Sequence, residues 1–297
     1  MKAKSAPEFS VIIPVYNNWE TLKLCLSALQ KQSLDQELYE IVVVNNASTV
    51  PLPDGLNLPR NARIIEEPNP GSYAARNTGA SVANGSILAF TDSDCIPDTQ
   101  WLSNAKKMFE DTNCDLIGGE IEVFLAEDGA KHAYIYDKHF AFRQKEWVPN
   151  GKSCTANLII KKSIFYKAGK FDSTLKSGGD WEFSKRCVGK GYDMQYGESV
   201  IIRHPARKTL RALLKKHYRH ICWGSIITRE KYQCGQLKVL LSSLKGAFQR
   251  LFRKNPQISK KYERFVVLYI DFIKLVVQLY GNLLLLFKLK DPHKVRE

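Results

Sequence analysis

"NPGSYAARNTGASVANGSILAFTDSD" (residues 69–94) passes from a turn, through a helix, to a strand that ends on two acids. Asn69, Pro70 and Gly71 are turn formers, "SYAARNTGASVAN" reads as a helix, and Ile87 to Thr91 are five strand-forming residues. Side chains alternate along a strand, so Asp92 and Asp94, two positions apart, face the same way and their carboxylates converge. Two hard oxygen ligands so placed suit Mg²⁺ or Mn²⁺. Asp-Ser-Asp alone is as compatible with a turn or a helix cap, so its weight comes from its neighbours.

On the upstream side, "FSVIIPVYNN" reads as a buried strand broken by Pro14. It is followed by a helix with apolar residues at Leu22, Cys25, Leu26 and Leu29, and then by a second strand, "YEIVVVNNAS". A short strand near Arg63 to Ile65 comes before the quoted stretch. Downstream, the pattern predicts a helix over 100–110, a strand over 115–124, an irregular aromatic-rich stretch, a strand and helix in "SCTANLIIKKSIFYKAGKF", and a Gly-rich turn into a helix ending near Gly189. Alternating strands and helices predict an α/β fold with a mainly parallel central sheet flanked by helices. Ligands of such sheets bind beyond the carboxyl ends of the strands, where Tyr16, Asn45, Asn46, Asp92 and Asp94 fall.

The α/β pattern stops at Arg203 to Pro205, which divides the chain into an α/β domain (1–205) and a basic helical region (206–297). The net charge of +14 follows the same division: residues 201–297 hold 22 Lys and Arg against 5 Asp and Glu, and the remainder is slightly acidic. Such a surface attracts anionic lipid or nucleic acid alike. Amphipathic helices are expected over "KTLRALLKKHYRHICWG" and "LKVLLSSLKGAFQRLFRK". The segment 265–287 is long enough to span a bilayer, but Asp271, Lys274, Gln278 and Asn282 run along it as one polar stripe. A helix in the membrane interface, or docked on its neighbours, is therefore expected over a lone span; an ordinary soluble bundle is the alternative. Seven scattered cysteines without a Cys-x-x-Cys pair read as reduced thiols of a cytosolic protein, and Met1 to Ser10 show no signal-peptide core.

Taken in order, "VIIPVYNN", "IVVVNNAST", the quoted stretch, "TANLIIKKSIF", "FD", "GGDWEF" and His204 resemble the inverting family-two glycosyltransferases of the nucleotide-diphospho-sugar transferase (GT-A) fold. The resemblance covers roughly residues 9 to 205, and the stretch 69–94 is its most specific part. It implies a nucleotide-sugar donor, UDP-linked, and Mn²⁺ or Mg²⁺ as cofactor. Asp94 is then the direct metal ligand, with Asp92 on the ribose or reaching the metal through water, and His204 facing the metal or diphosphate. Pro14, Tyr16, Asn46, Arg76, Asp92 and Ser93 are implied on the donor, with Tyr16 stacked on the base, Asn46 on the base edge, and Arg76 on a phosphate or the base edge. Asp180 is implied as the general base, supported by Glu182, and Trp181 and Asn157 as acceptor contacts.

Each role has a plainer rival: a strand-end cap for Asp92, a core-edge ring for Tyr16, a solvated arginine for Arg76, a helix N-cap for Asp180, a core aromatic for Trp181 and a structural histidine for His204. Asn45 and Gly179 depart from the family, which usually has Asp at the first position and often an acid at the second. The resulting expectation is an inverting, metal-dependent hexosyltransferase on the cytoplasmic face of the cell membrane, peripheral or monotopic. It would act on a glycan or lipid-linked acceptor at an anionic membrane surface, with no specific nucleic acid as partner. The rivals are a nucleotidyltransferase, a basic nucleic-acid-binding protein and a non-catalytic relative.

Overall fold

The computed structural model describes residues 6–220, 241–242, 245–246, 248–249 and 258–286, the side chains of 283, 285 and 286 excepted. Within them the strands are β1 (Phe9–Val15), β2 (Tyr39–Asn45), β3 (Ala62–Glu66), β4 (Ile87–Phe90), β5 (Ile96–Pro97), β6 (Leu116–Phe124), β7 (Leu158–Lys161) and β8 (Met194–Pro205). The helices are α1 (Trp19–Leu29), α2 (Ser72–Val82), α3 (Trp101–Thr112), α4 (Lys131–Phe140), α5 (Gln144–Trp147), α6 (Lys162–Ala168), α7 (Gly179–Gly189), α8 (210–220) and α9 (Lys261–Leu286). The chain divides into two compact units, one of residues 1–122 with 142–205, the other of 123–141 with 206–297.

The first unit is α/β, built on one eight-stranded sheet of order β3-β2-β1-β4-β7-β6-β8-β5. The block β3-β2-β1-β4 is parallel, while β7 runs antiparallel to both β4 and β6. Alternation along β1 sends Val11 and Ile13 into one apolar layer with Leu22, Leu26, Trp101 and Phe109 of α1 and α3. Ile12 points the other way, to Tyr73, Phe165 and Phe183 of α2, α6 and α7. At Gly79 a Cβ would lie 2.5 Å from Ile12 Cγ2, so glycine is what lets α2 approach the sheet.

Pro14 does not break β1, which continues to Val15. Ile12 O accepts from Thr91 N, so residues 12 and 14 present their main chain toward β4, and the β1–β4 ladder ends at Ile12↔Phe90. The missing N–H of Pro14 falls just past that last pair, where no bond is required of it.

The aromatic-rich stretch that reads as irregular contains α4, part of the second unit. There Asp137 is buried and accepts from Arg207 N and Nη1, and Tyr136 donates to Asp271 Oδ1 of α9 at 2.6 Å. Asp271, Gln278 and Asn282 of the polar stripe are buried, whereas Phe265, Phe272 and Tyr280 are more than half exposed. Within this unit α9 thus turns its polar stripe inward and an aromatic face outward. The helix expected over 237–254 lies for the most part outside the described residues.

Candidate active site

Three parallel strands end side by side and hand over to the candidate residues: β1 to Tyr16, β2 to Asn46, and β4 to Asp92 and Asp94. The acids do not lie on the strand itself. β4 stops at Phe90, and Cys95 N donates to Asp92 O at 3.1 Å, so 92–95 is a tight turn. After it β5 pairs antiparallel with β8, Ile96 opposite Arg203, and that register sets His204 beside the turn. Donor atoms of Asp92, Asp94, Cys95 and His204 all lie within 4.8 Å of one another.

The His204 ring fixes its own tautomer. Its Nδ1 is 2.7 Å from Pro205 O, a group that only accepts, so Nδ1 carries a hydrogen. In the neutral ring the lone pair is then on Nε2, which faces Asp94 Oδ1 at 3.6 Å. With the ring in that form two electron-rich atoms face one another, an arrangement that a divalent cation resolves. Phe142 packs on the imidazole with ring centroids 4.3 Å apart, holding its plane. The oxygen–nitrogen donor set fits Mn²⁺ well and Mg²⁺ acceptably. Cys95 is fully buried, and burial, with Asp92 and Asp94 adding to it, pushes its thiol well above the ordinary range. Its side chain belongs to the apolar layer under the turn.

Asp92 is held differently. Arg76 of α2 is 3% exposed and pairs through Nη2 with Asp92 Oδ1. Its Nε has no hydrogen-bond partner among the described residues. A guanidinium so buried depends on its counter-ion, so one Asp92 oxygen is committed to Arg76; the two acids are almost equally exposed, 32% and 30% of their side chains, and Asp94 is the freer by its partners alone.

Across the site, Gly178 takes the left-handed conformation (φ +78°) and caps α7. Asp180 follows in the first turn, one residue inside the helix, and is therefore not its N-cap. Its Oδ1 accepts from Trp181 N at 2.9 Å and from the Tyr73 hydroxyl at 3.2 Å. Trp181 is partly buried edge-to-face on Trp147 at 5.0 Å, with Lys152 Nζ 4.8 Å from its ring centroid. Two carboxylate centres and an aromatic wall, all on loops and helix starts of the first unit, suit a transfer reaction.

The family model "Glycosyl transferase family 2" matches residues 10–169. The chain belongs to glycosyl transferase family 2. This family 2 chain is 38% identical over 223 residues to glycosyltransferase AglE of Haloferax volcanii, covering 72% of this chain and 71% of that one. It is 26% identical over 214 residues to the pre-mycofactocin glycosyltransferase of Mycobacterium tuberculosis, covering 69% of this chain and 44% of that one. Among solved structures, mannosyltransferase PcManGT of Pyrobaculum calidifontis, in complex with GDP-Man and Mn²⁺, superposes with a TM-score of 0.60 at 17% identity. That superposition covers 94% of this chain and 88% of that one. S. aureus TarS 1-349 gives 0.52 at 18% identity, covering 75% and 65%. At those identities the two structures bear on the fold alone, and both share it. The protein is a glycosyltransferase; nucleotidyl transfer and nucleic-acid binding are not favoured.

Within this family 2 site several of the expected residues have other partners. Asn46 is buried with its amide in use: Nδ2 donates to Glu67 O and Asn69 O, and Oδ1 accepts from Gly71 N. It clips the loop that starts α2, and both amide hydrogens are in use there, which leaves only a lone pair of Oδ1 for a ligand. Asn157 is 0% exposed, with Oδ1 accepting from Trp101 Nε1 and Nδ2 donating to Glu120 O and Val200 O. It ties α3 to β6 and β8 and presents no surface to solvent. Glu182 forms a two-pronged pair with Arg186, which also bonds the Ala168 and Lys170 carbonyls, so its carboxylate is tied down on the α6 side. Pro14 is buried in β1 and offers the site no side chain. Ser93 is 7% exposed inside the turn, and Tyr16 is 49% exposed, open for stacking. Sequence reasoning missed Tyr73, Phe142 and Trp147. Tyr73 stands three residues before Arg76, on the same helical face, which was its one legible signal.

Proposed function

We propose that this glycosyltransferase moves a sugar with inversion from a nucleotide-sugar, UDP-linked, to an acceptor hydroxyl, using a divalent cation. The observation that carries the reading is the facing of His204 Nε2 and Asp94 Oδ1 across 3.6 Å. A Mn²⁺ or Mg²⁺ ion, when bound by Asp94 and His204 with Asp92 in reach, supplies positive charge beside the departing diphosphate. Arg76 orients Asp92 through their ion pair, and Tyr16 stacks on the base. Asp180 takes the proton of the acceptor hydroxyl as its oxygen bonds to the anomeric carbon. The bond from that carbon to the diphosphate breaks on the opposite face, and the nucleoside diphosphate leaves with the electron pair. Trp181, backed by Trp147, walls the acceptor.

The experiment is a panel of UDP-, GDP- and dTDP-sugars assayed for nucleoside-diphosphate release with Mn²⁺, Mg²⁺ or EDTA. Release from one donor, dependent on the ion and lost in Asp180→Asn while donor still binds, is the expected result. Ion-independent release, or full turnover in Asp180→Asn, overturns the reading.

The acceptor in this reading is a membrane-associated or lipid-linked glycan, and α9 supports it. Tyr262, Phe265, Tyr269, Phe272, Val276 and Tyr280 recur at helical spacing and are 49–69% exposed. Lys260, Lys261 and Arg264 are exposed at the start of the helix. An aromatic face beside basic residues is what an interfacial helix presents to anionic lipid. Phe265→Ser with Phe272→Ser should reduce co-sedimentation with phosphatidylglycerol vesicles about tenfold or more, because two buried aromatic side chains are lost from the lipid contact. Retained binding would remove α9 from the membrane contact.

A further inference from the structure

The candidate base is gripped by a residue from another element. We propose that Tyr73 is the positioning residue for Asp180, and that Gly179 is glycine because Tyr73 must pass through the space a side chain there would fill. The inference rests on the reading of Asp180 as the base.

Tyr73 is 7% exposed, in the first turn of α2, with its ring against Phe171 at 5.6 Å. Its hydroxyl oxygen accepts from Asp180 N at 3.1 Å, which leaves the hydroxyl hydrogen to be donated to Asp180 Oδ1 at 3.2 Å. The hydroxyl thus brackets the main chain and the carboxylate of one residue, fixing both the start of α7 and the rotation of the acid. A hydrogen bond to the ionised carboxylate favours that form, which is the form a base needs. Burial, with the nearby Asp180 charge next in size, pushes the phenol above its ordinary range. Tyr73 therefore keeps the hydrogen that it donates to the Asp180 carboxylate.

Gly179 makes the approach possible. A Cβ there would lie 2.7 Å from Tyr73 Cε2, 2.9 Å from Cζ and 3.0 Å from Cδ2, ring atoms that cannot yield without breaking the Asp180 bonds. The departure of this position from the family's acid thus has a local cause. The same helix also reaches the donor side. One turn on, the Arg76 guanidinium lies 5.9 Å from the Tyr73 ring centroid and pairs with Asp92. A single rigid element thereby touches both the candidate base and the candidate diphosphate site, and sets the distance between them.

The test uses Tyr73→Phe, which keeps the ring, with Gly179→Ala and Asp180→Asn, each first confirmed folded by its melting transition. The readouts are kcat, donor KM and the pH profile of kcat by nucleoside-diphosphate release. Loss of a hydrogen bond to a charged group lowers kcat about ten- to a hundredfold. Donor KM should be unchanged, and the acidic limb of the profile should move about one pH unit higher. Gly179→Ala should show the same signature. Adding Gly179→Ala to Tyr73→Ala should cost nothing more, since the ring it strikes is gone. Wild-type kcat and pH limb in Tyr73→Phe, with Asp180→Asn inactive, would overturn this inference and leave the base assignment standing. Full turnover in Asp180→Asn would overturn both.

Discussion

The two ends of the sheet each hold a carboxylate centre, and they are built in opposite ways. At the amino end, Glu40 of β2 is 6% exposed, and its two oxygens accept four hydrogen bonds, from Ser10 Oγ, Asn84 N, Asn84 Nδ2 and Arg63 Nη1. At the carboxyl end, Asp94 is 30% exposed in its side chain, and among the described residues its ion-pair neighbour is His204 at 3.6 Å. A saturated carboxylate fastens chain segments together; an undersupplied one is available to a ligand. The contrast lies in the partners, because the side chains carry the same charge.

The largest effect should fall at the undersupplied end. Asp94→Ala should lower turnover about a thousandfold, with Mn²⁺-dependent donor binding lost in calorimetry and the melting temperature little changed. Wild-type catalysis in that variant would erase the contrast.

Glu40→Ala should show the reverse. Leaving Arg63 and the Asn84 groups without their acceptor should cost about 3 kcal/mol of stability in urea unfolding, with kcat per folded molecule unchanged. Its pH dependence has a fixed sign. Burial works to raise the Glu40 carboxyl, but the hydrogen bonds from Ser10, Asn84 and Arg63 outweigh it and hold the group below its ordinary value of 4.5. Its contribution is therefore present above that value and lost as pH falls through the lower folded value, so wild type and Glu40→Ala should converge in stability under acid.

Asn46→Ala tests a smaller point at the carboxyl end. A base-reading amide would change the preference among uridine, guanosine and thymidine donors when removed. A clip for the 67–71 loop weakens all donors alike and costs about 1–2 kcal/mol of stability. The uniform loss is expected; a switch in preference would restore the base contact.

Much of this was legible in the sequence. The apolar runs of β1 and β2 and the spacing of Leu22, Cys25, Leu26 and Leu29 were read as the elements they form. α4 was not, because its buried side includes Asp137, paired with an arginine 70 residues away, which hides the apolar period. The convergence of Asp92 and Asp94 was expected from strand alternation but arises in a turn. What brings His204 to them is the β5–β8 register, a pairing over more than a hundred residues that no local pattern encodes. The settings of Asn46 and Asn157 were not legible because their partners are largely backbone groups, which every residue possesses. Glu182 stands two positions along the helix from Asp180, a rotation of about 200°, so the two acids do not share a face.

The central claim is that the nucleoside diphosphate and its cation meet this chain at Asp94 and His204. A crystal structure with UDP and Mn²⁺, its anomalous signal recorded, tests it most directly. The account predicts a manganese peak bound by an Asp94 carboxylate oxygen and His204 Nε2 and touching the phosphates. Phosphates seated away from the 92–95 turn, with no metal at Asp94, would contradict it.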